Sequence, residues 1–173
     1  TVVSASAEND TDGDGIDDLF EVENSLDPND AADAEGDADG DGRSNLDEYL
    51  ENKDPNSDDV APVVTAPVDV FADSEGALTS VDLGDASALD ALDGELMPTA
   101  DNLGPFAPGT YTVTWTATDA AGNAGSATQQ IVVTPQATTQ PRARAAEGGV
   151  YVLNVNLNGP ASSYPVEIPY TLG

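Results

Sequence analysis

The sequence predicts a mainly β chain in which a loop-rich, acidic amino-terminal segment with short helices precedes a β-sandwich. Three observations carry that prediction. Of 173 residues, 33 are Asp or Glu and only 4 are Lys or Arg, giving a formal net charge of −29. The first 60 residues hold 21 of the acids against Arg43 and Lys53, a net −19, and they repeat themselves at an offset of 27 residues. Beyond Val60 the composition turns to Val, Thr, Ala, Pro and Gly, with the period-two alternation of half-buried strands.

The balance of residue types excludes several functions. So few cations leave nothing for phosphate backbones or anionic membrane surfaces to bind, so neither nucleic acid nor a membrane is an expected partner. There is no His and no Cys, which removes Ser-His-Asp and Cys-His nucleophiles, imidazole or thiolate zinc sites and every disulfide. Oxygen remains as a ligand, and it suits hard cations, calcium first and magnesium second. No stretch approaches the ~18 apolar residues of a membrane-spanning helix. Residues 1–8 read as a short β-prone strand or tail, too short and uncharged for a signal peptide, so the chain reads as a mature or excised fragment.

Residues 9–59 contain the duplication. Asp10, Asp12, Gly13, Asp14, Gly15, Leu19, Glu21, Asp27, Pro28 and Asn29 recur as Asp37, Asp39, Gly40, Asp41, Gly42, Leu46, Glu48, Asp54, Pro55 and Asn56. A calcium ion takes about six to eight oxygens, which a 12-residue loop supplies from positions 1, 3, 5, 7, 9 and 12, with Gly at position 6 for the turn. The first copy offers Asp10, Asp12, Asp14, the Ile16 carbonyl, Asp18 and Glu21 around Gly15. The second offers Asp37, Asp39, Asp41, the Arg43 carbonyl, Asn45 and Glu48 around Gly42. At least two calcium ions are therefore expected.

Position 8 holds Asp17 and Ser44 where paired EF-hand loops place an apolar residue, which argues against a globular EF-hand pair. Leu19, Phe20, Val22 and Leu26, with Leu46, Tyr49 and Leu50, are assigned to a small core between the repeats. Asp27, Asp30, Asp33, Glu35 and Asp54 read equally as bridging ligands or as Asx turns. Like charges at this spacing repel, so folding is expected to depend on calcium.

These residues resemble thrombospondin type 3 repeats of secreted bacterial proteins, in which Asp-x-Asp-Gly-Asp-Gly-x-x-Asp is followed by Glu and then Asp-Pro. The resemblance implies a calcium-wrapped, loop-rich segment in which acidic ligands replace a hydrophobic core.

Residues 60–134 supply the sandwich. Thr110–Thr118 puts Tyr111, Val113, Trp115 and Ala117 on one face and threonines on the other, Gly122-Asn123 marks a turn, and Gln130–Thr134 forms the next strand. Trp115, in phase with Tyr111 and Val113, reads as core in preference to a carbohydrate-stacking platform. Asp119 and Asn123 read as turn caps in preference to calcium ligands. Pro105–Asn123 and the opening Ala61-Pro-Val-Val-Thr-Ala-Pro67 resemble a hyalin repeat (HYR) or related immunoglobulin-like domain. That resemblance implies a seven-stranded immunoglobulin-like β-sandwich used for adhesion or spacing.

Residues 135–145 read as an extended linker, and 146–173 as a β-hairpin weakly similar to the opening of a Calx-beta repeat. A hairpin with one apolar face is marginal alone, so 146–173 or 1–7 is assigned either to packing on the sandwich or to strand addition in a second copy.

The function expected is a calcium-binding, non-enzymatic stalk, spacer or adhesive segment of a secreted or surface bacterial protein, with a cell-surface or polysaccharide ligand and scope for filament assembly. A dockerin-like docking module is the alternative, since dockerins also duplicate such loops, as is an accessory domain of a secreted hydrolase. The only enzyme this inventory supports is a carboxylate-pair glycosidase, and its acids are already committed to the loops.

Overall fold

The computed structural model of the chain describes residues 9–140, 154–157 and 159. Expectations for residues 1–8, for the linker beyond 140 and for most of the 146–173 hairpin lie outside these residues. The chain is mainly β, 32% strand against 11% helix. No helix among the described residues is long and apolar enough to cross a membrane. Contacts divide the chain into two compact units, each drawn from more than one stretch of sequence.

The first unit takes residues 9–64, Ser87–Pro98 and Thr116–Ser126. Its helices α1 (Asp18–Asn24) and α2 (Asn45–Glu51) start and stop on the same signals. Asp17 accepts from the Phe20 N–H at 2.9 Å and Ser44 from the Asp47 N–H at 3.2 Å, so position 8 of each loop serves as the N-cap. Ser25 and Asn52 close the helices in the left-handed region. The repeats are tied by the Tyr49 hydroxyl donating to Asp17 at 2.8 Å and the Asn56 side chain donating to the Asn24 carbonyl at 3.0 Å.

The apolar set expected between the repeats is only partly inside. Phe20 and Tyr49 meet edge to face with centroids 4.8 Å apart. Leu19, Val22 and Leu50 are each 66% exposed, a correction to the sequence reading. The inward side of each short helix is taken by Glu21 or Glu48, both fully buried, and at about 100° per residue Leu19, Val22 and Leu50 fall away from it. Ile16, Ala34 and Pro55 are the buried apolar residues of the repeats.

The first unit also carries a three-stranded sheet in the order β1 (Val63–Thr65), β3 (Ser87–Asp90), β4 (Gly94–Leu96), with β3 and β4 antiparallel.

The second unit takes Thr65–Ala86, Thr99–Trp115 and the described residues from 127 onward. A four-stranded sheet runs β2 (Val70–Asp73), β7 (Ala124–Thr134), β6 (Gly109–Thr118), β5 (Thr99–Ala100). Strand β2 lies parallel to β7, from Val70 opposite Ile131 to Asp73 opposite Thr134. The expected alternation is present on β6, where Val113, Trp115 and Ala117 are buried. Phe106, Ile131 and Val133 are buried too. Gln129 is buried among them, accepting from the Trp115 indole at 3.2 Å and donating to the carbonyls of Val68 at 2.7 Å and Leu83 at 2.8 Å. Trp115 thus sits in the core with its polar edge satisfied. Part of the expected linker, Ala137–Gln140, is strand β8, antiparallel to β9 (Asn154–Leu157).

Candidate metal centre

Each loop is shaped by its own carboxylates. Asp10 accepts from the Gly13 N–H at 2.6 Å and the Gly15 N–H at 3.2 Å, and Asp37 repeats this with Gly40 at 2.7 Å and Gly42 at 2.9 Å. Asp12 and Asp14 take the N–H groups two residues on, and Asp39 and Asp41 do the same. The chain must turn back tightly at position 6, where Gly15 has φ of 103° and Gly42 of 97°.

This folding gathers four groups of carboxylates whose oxygens lie within 4.8 Å of one another: Asp10, Asp12 and Asp14; Asp14, Glu21 and Asp33; Asp37, Asp39 and Asp41; Asp41, Glu48 and Asp59. Such groups can hold a metal ion. Sequence-predicted ligands at positions 1, 3, 5 and 12 are therefore brought together in both copies. Ile16 and Arg43 follow the glycine as expected, their N–H groups bonded to Asp14 and Asp41.

The position 9 residues stand apart. Asp18 receives the Asn9 amide, the Thr11 N–H and the Thr11 hydroxyl, at 2.7–2.8 Å. Those bonds hold its carboxyl below the usual range. Asn45 is spent likewise, accepting from the Ala38 N–H and donating to the Asp33 carbonyl. An aspartate from beyond the helix joins each carboxylate group. Asp33, one of the five residues the sequence left open, supplies the first loop, and Asp59, which the sequence reading did not single out, supplies the second. Asp27, Asp30 and Asp54 instead form Asx turns.

The donor set has oxygens to spare. Asp12 Oδ2, Asp14 Oδ2, Asp33 Oδ1 and both oxygens of Glu21 are buried with no hydrogen-bond partner. Asp39 Oδ2, Asp59 Oδ1 and both oxygens of Glu48 repeat the pattern. A buried ionised carboxylate without a partner is strongly unfavourable, and a hard cation is the partner that an all-oxygen cluster fits. Burial, then the charges of Asp14 and Asp12, pushes Glu21 up to about 7. Burial, then Asp39 and Asp41, pushes Glu48 up to about 7. Burial and the nearby charges raise Asp12 and Asp39 as well. The described cations leave both glutamates unpaired: Arg43 pairs with Glu51 at 2.7 Å, and Lys53 with the other oxygen of Asp59 at 2.6 Å.

No protein-family profile and no curated protein matches the chain. Among solved structures, it is similar to that of the M60 catalytic domain with the CBM51-1 and CBM51-2 domains from Clostridium perfringens ZmpB. The identity is 22% and the TM-score 0.31, over 46% of this chain and 9% of that one. A likeness of that size carries no argument about this chain.

Proposed function

We propose that the chain is a calcium-stabilised, non-catalytic stalk or spacer with an adhesive β region, belonging to a secreted or surface-exposed bacterial protein. The observation that carries the reading is the pair Glu21 and Glu48, fully buried and unpaired at both oxygens, each gathered with two aspartates. An acidic face kept for solubility has no reason to bury such groups. Calcium is preferred to magnesium because it accepts a flexible shell of six to eight oxygens, whereas magnesium holds to octahedral geometry and keeps its waters. The resemblances to thrombospondin type 3 and hyalin repeats support the same reading. Extracellular calcium modules bind at about 10⁻⁴–10⁻³ M, which suits the millimolar calcium outside cells.

Calcium titration of the chelated chain, followed together by circular dichroism and light scattering, tests this. Ordered structure should rise and saturate in that range. Strand addition through 1–7 or 146–173 adds a calcium-dependent rise in scattering mass. A flat response in both signals overturns the proposal. Inactivity on a polysaccharide panel is expected, and robust turnover lost on replacing Asp85 or Asp93 would contradict the non-catalytic reading.

A further inference from the structure

Both loops share one signature: a carboxylate with Oδ1 bonded to backbone N–H groups and a buried Oδ2 left without a partner. The same signature occurs twice more in the first unit, away from either loop. Asp90, 5% exposed, accepts from the Leu92 and Asp93 N–H groups at 3.0 Å through Oδ1, and its Oδ2 is buried and unpaired. Asp119, 8% exposed, accepts from Gly122 and Asn123 at 2.7 Å through Oδ1, and its Oδ2 is also buried and unpaired.

Hydrogen bonds bring these turns together with the end of the second repeat. The Ala120 N–H donates to Asp93 at 2.5 Å, and the Asn123 side chain donates to the Asp58 carbonyl at 3.1 Å. Asp58 is half-buried, its Oδ1 accepting from the Val60 N–H at 3.1 Å. Turn formation explains each Oδ1 bond but neither orphaned Oδ2. The Ala120 and Asn123 bonds gather the segments that carry the three carboxylates, two of them buried, while Arg43 and Lys53, the cations among the described residues, are paired elsewhere.

The geometry points to a third divalent-cation site, formed by Asp90, Asp119 and Asp58, that takes calcium independently of the two loops. Asp90 and Asp119 give their free Oδ2 atoms, Asp58 gives a third carboxylate oxygen, and water completes the shell that a calcium ion needs. An ion here joins the end of the second repeat to the β3–β4 and β6–β7 turns, so the unit is closed by metal at a point the repeats alone do not reach.

Native mass spectrometry of the full chain in calcium counts the ions. Asp90→Asn and Asp119→Asn keep the Oδ1 acceptor that each turn needs but replace the free oxygen with an amide donor. Each should bind one ion fewer than the unsubstituted chain while circular dichroism in calcium stays unchanged. Asp58→Asn, at a half-exposed position, should remove the same ion and provides the count if either buried variant fails to fold. An unchanged count in all folded variants overturns the site. Glu21→Gln and Glu48→Gln report on the loops separately: if they remove ions and the aspartate variants do not, the loop proposal stands and this one falls.

Discussion

Removing calcium should reverse the sign of the protein's pH dependence, and Glu21 and Glu48 are the reason. In the metal-free chain both are pushed up to about 7 from an ordinary 4.5, by burial first and neighbouring aspartates second. Between those values the folded chain holds protons that the unfolded chain has released, so stability is greatest below pH 4.5 and is lost as pH rises through 7. Asp12, Asp39 and Asp58 lean the same way. Asp18 and Asp119, held below the ordinary aspartate value, titrate under this window.

A shift of that size is worth about 3.4 kcal/mol per glutamate at face value. Solvent around the half-exposed Asp12, Asp14 and Asp39 screens the repulsion and cuts it to roughly half, about 3–4 kcal/mol for the pair. A typical fold is stable by about 5–15 kcal/mol in all, so at neutral pH this loss is large enough to leave the metal-free segment near its folding limit.

Thermal unfolding by circular dichroism checks the sign. With chelator, the melting temperature should fall by roughly 10 °C as pH rises across the window. In excess calcium it should rise instead, because protons compete with the ion for the same carboxylates. The double substitution Glu21→Gln with Glu48→Gln should flatten the chelated profile. A chelated melting temperature that climbs with pH, or a slope undiminished by the double substitution, refutes the assignment of these two groups.

Three further outcomes are expected. Gly42→Ala places a side chain at φ 97° and should cost about 1–2 kcal/mol, read as a lower denaturation midpoint in saturating calcium. Gln129→Leu strands the Trp115 indole and the carbonyls of Val68 and Leu83, and should cost roughly 2–4 kcal/mol by Trp115 fluorescence during chemical unfolding. High sodium chloride in chelator should fail to restore the circular dichroism that calcium restores, since screening acts on exposed charges and reaches buried ones poorly.

The parts of the site that were legible in the sequence are those set within a dozen residues. Spacing alone placed Asp10, Asp12, Asp14 and Glu21, because the loop closes on itself through bonds no longer than five residues in sequence. Asp33 and Asp59 were obscure because they arrive after a helix and a turn, and their positions in the two copies differ from the repeat offset by one residue. Position 9 is where spacing and structure differ, because Asp18 and Asn45 begin helices and bond the preceding chain with their side chains. In the β region, alternation made Trp115 legible as core. The parallel pairing of β2 with β7 joins residues some sixty apart, and no local pattern encodes it.

The charge of −29 is therefore a statement about what the fold lacks. Backbone N–H groups in the loops and turns satisfy one oxygen of an aspartate and leave its neighbour buried and bare, at Asp12, Asp14, Asp39, Asp90 and Asp119 alike. Extra side-chain donors could have filled those positions, as Asn9 and Thr11 do for Asp18, yet the glutamates that close each loop receive none. Among the described residues, no cationic side chain pairs with these atoms. At acid pH protons can supply positive charge, one carboxylate at a time; at neutral pH a divalent ion could supply it to several carboxylates at once, so that the contacts neutralising the cluster would also join its segments. If calcium is that ion, as proposed, binding at the loops and ordering of the repeats are coupled, and the calcium concentration sets how far the repeats are folded.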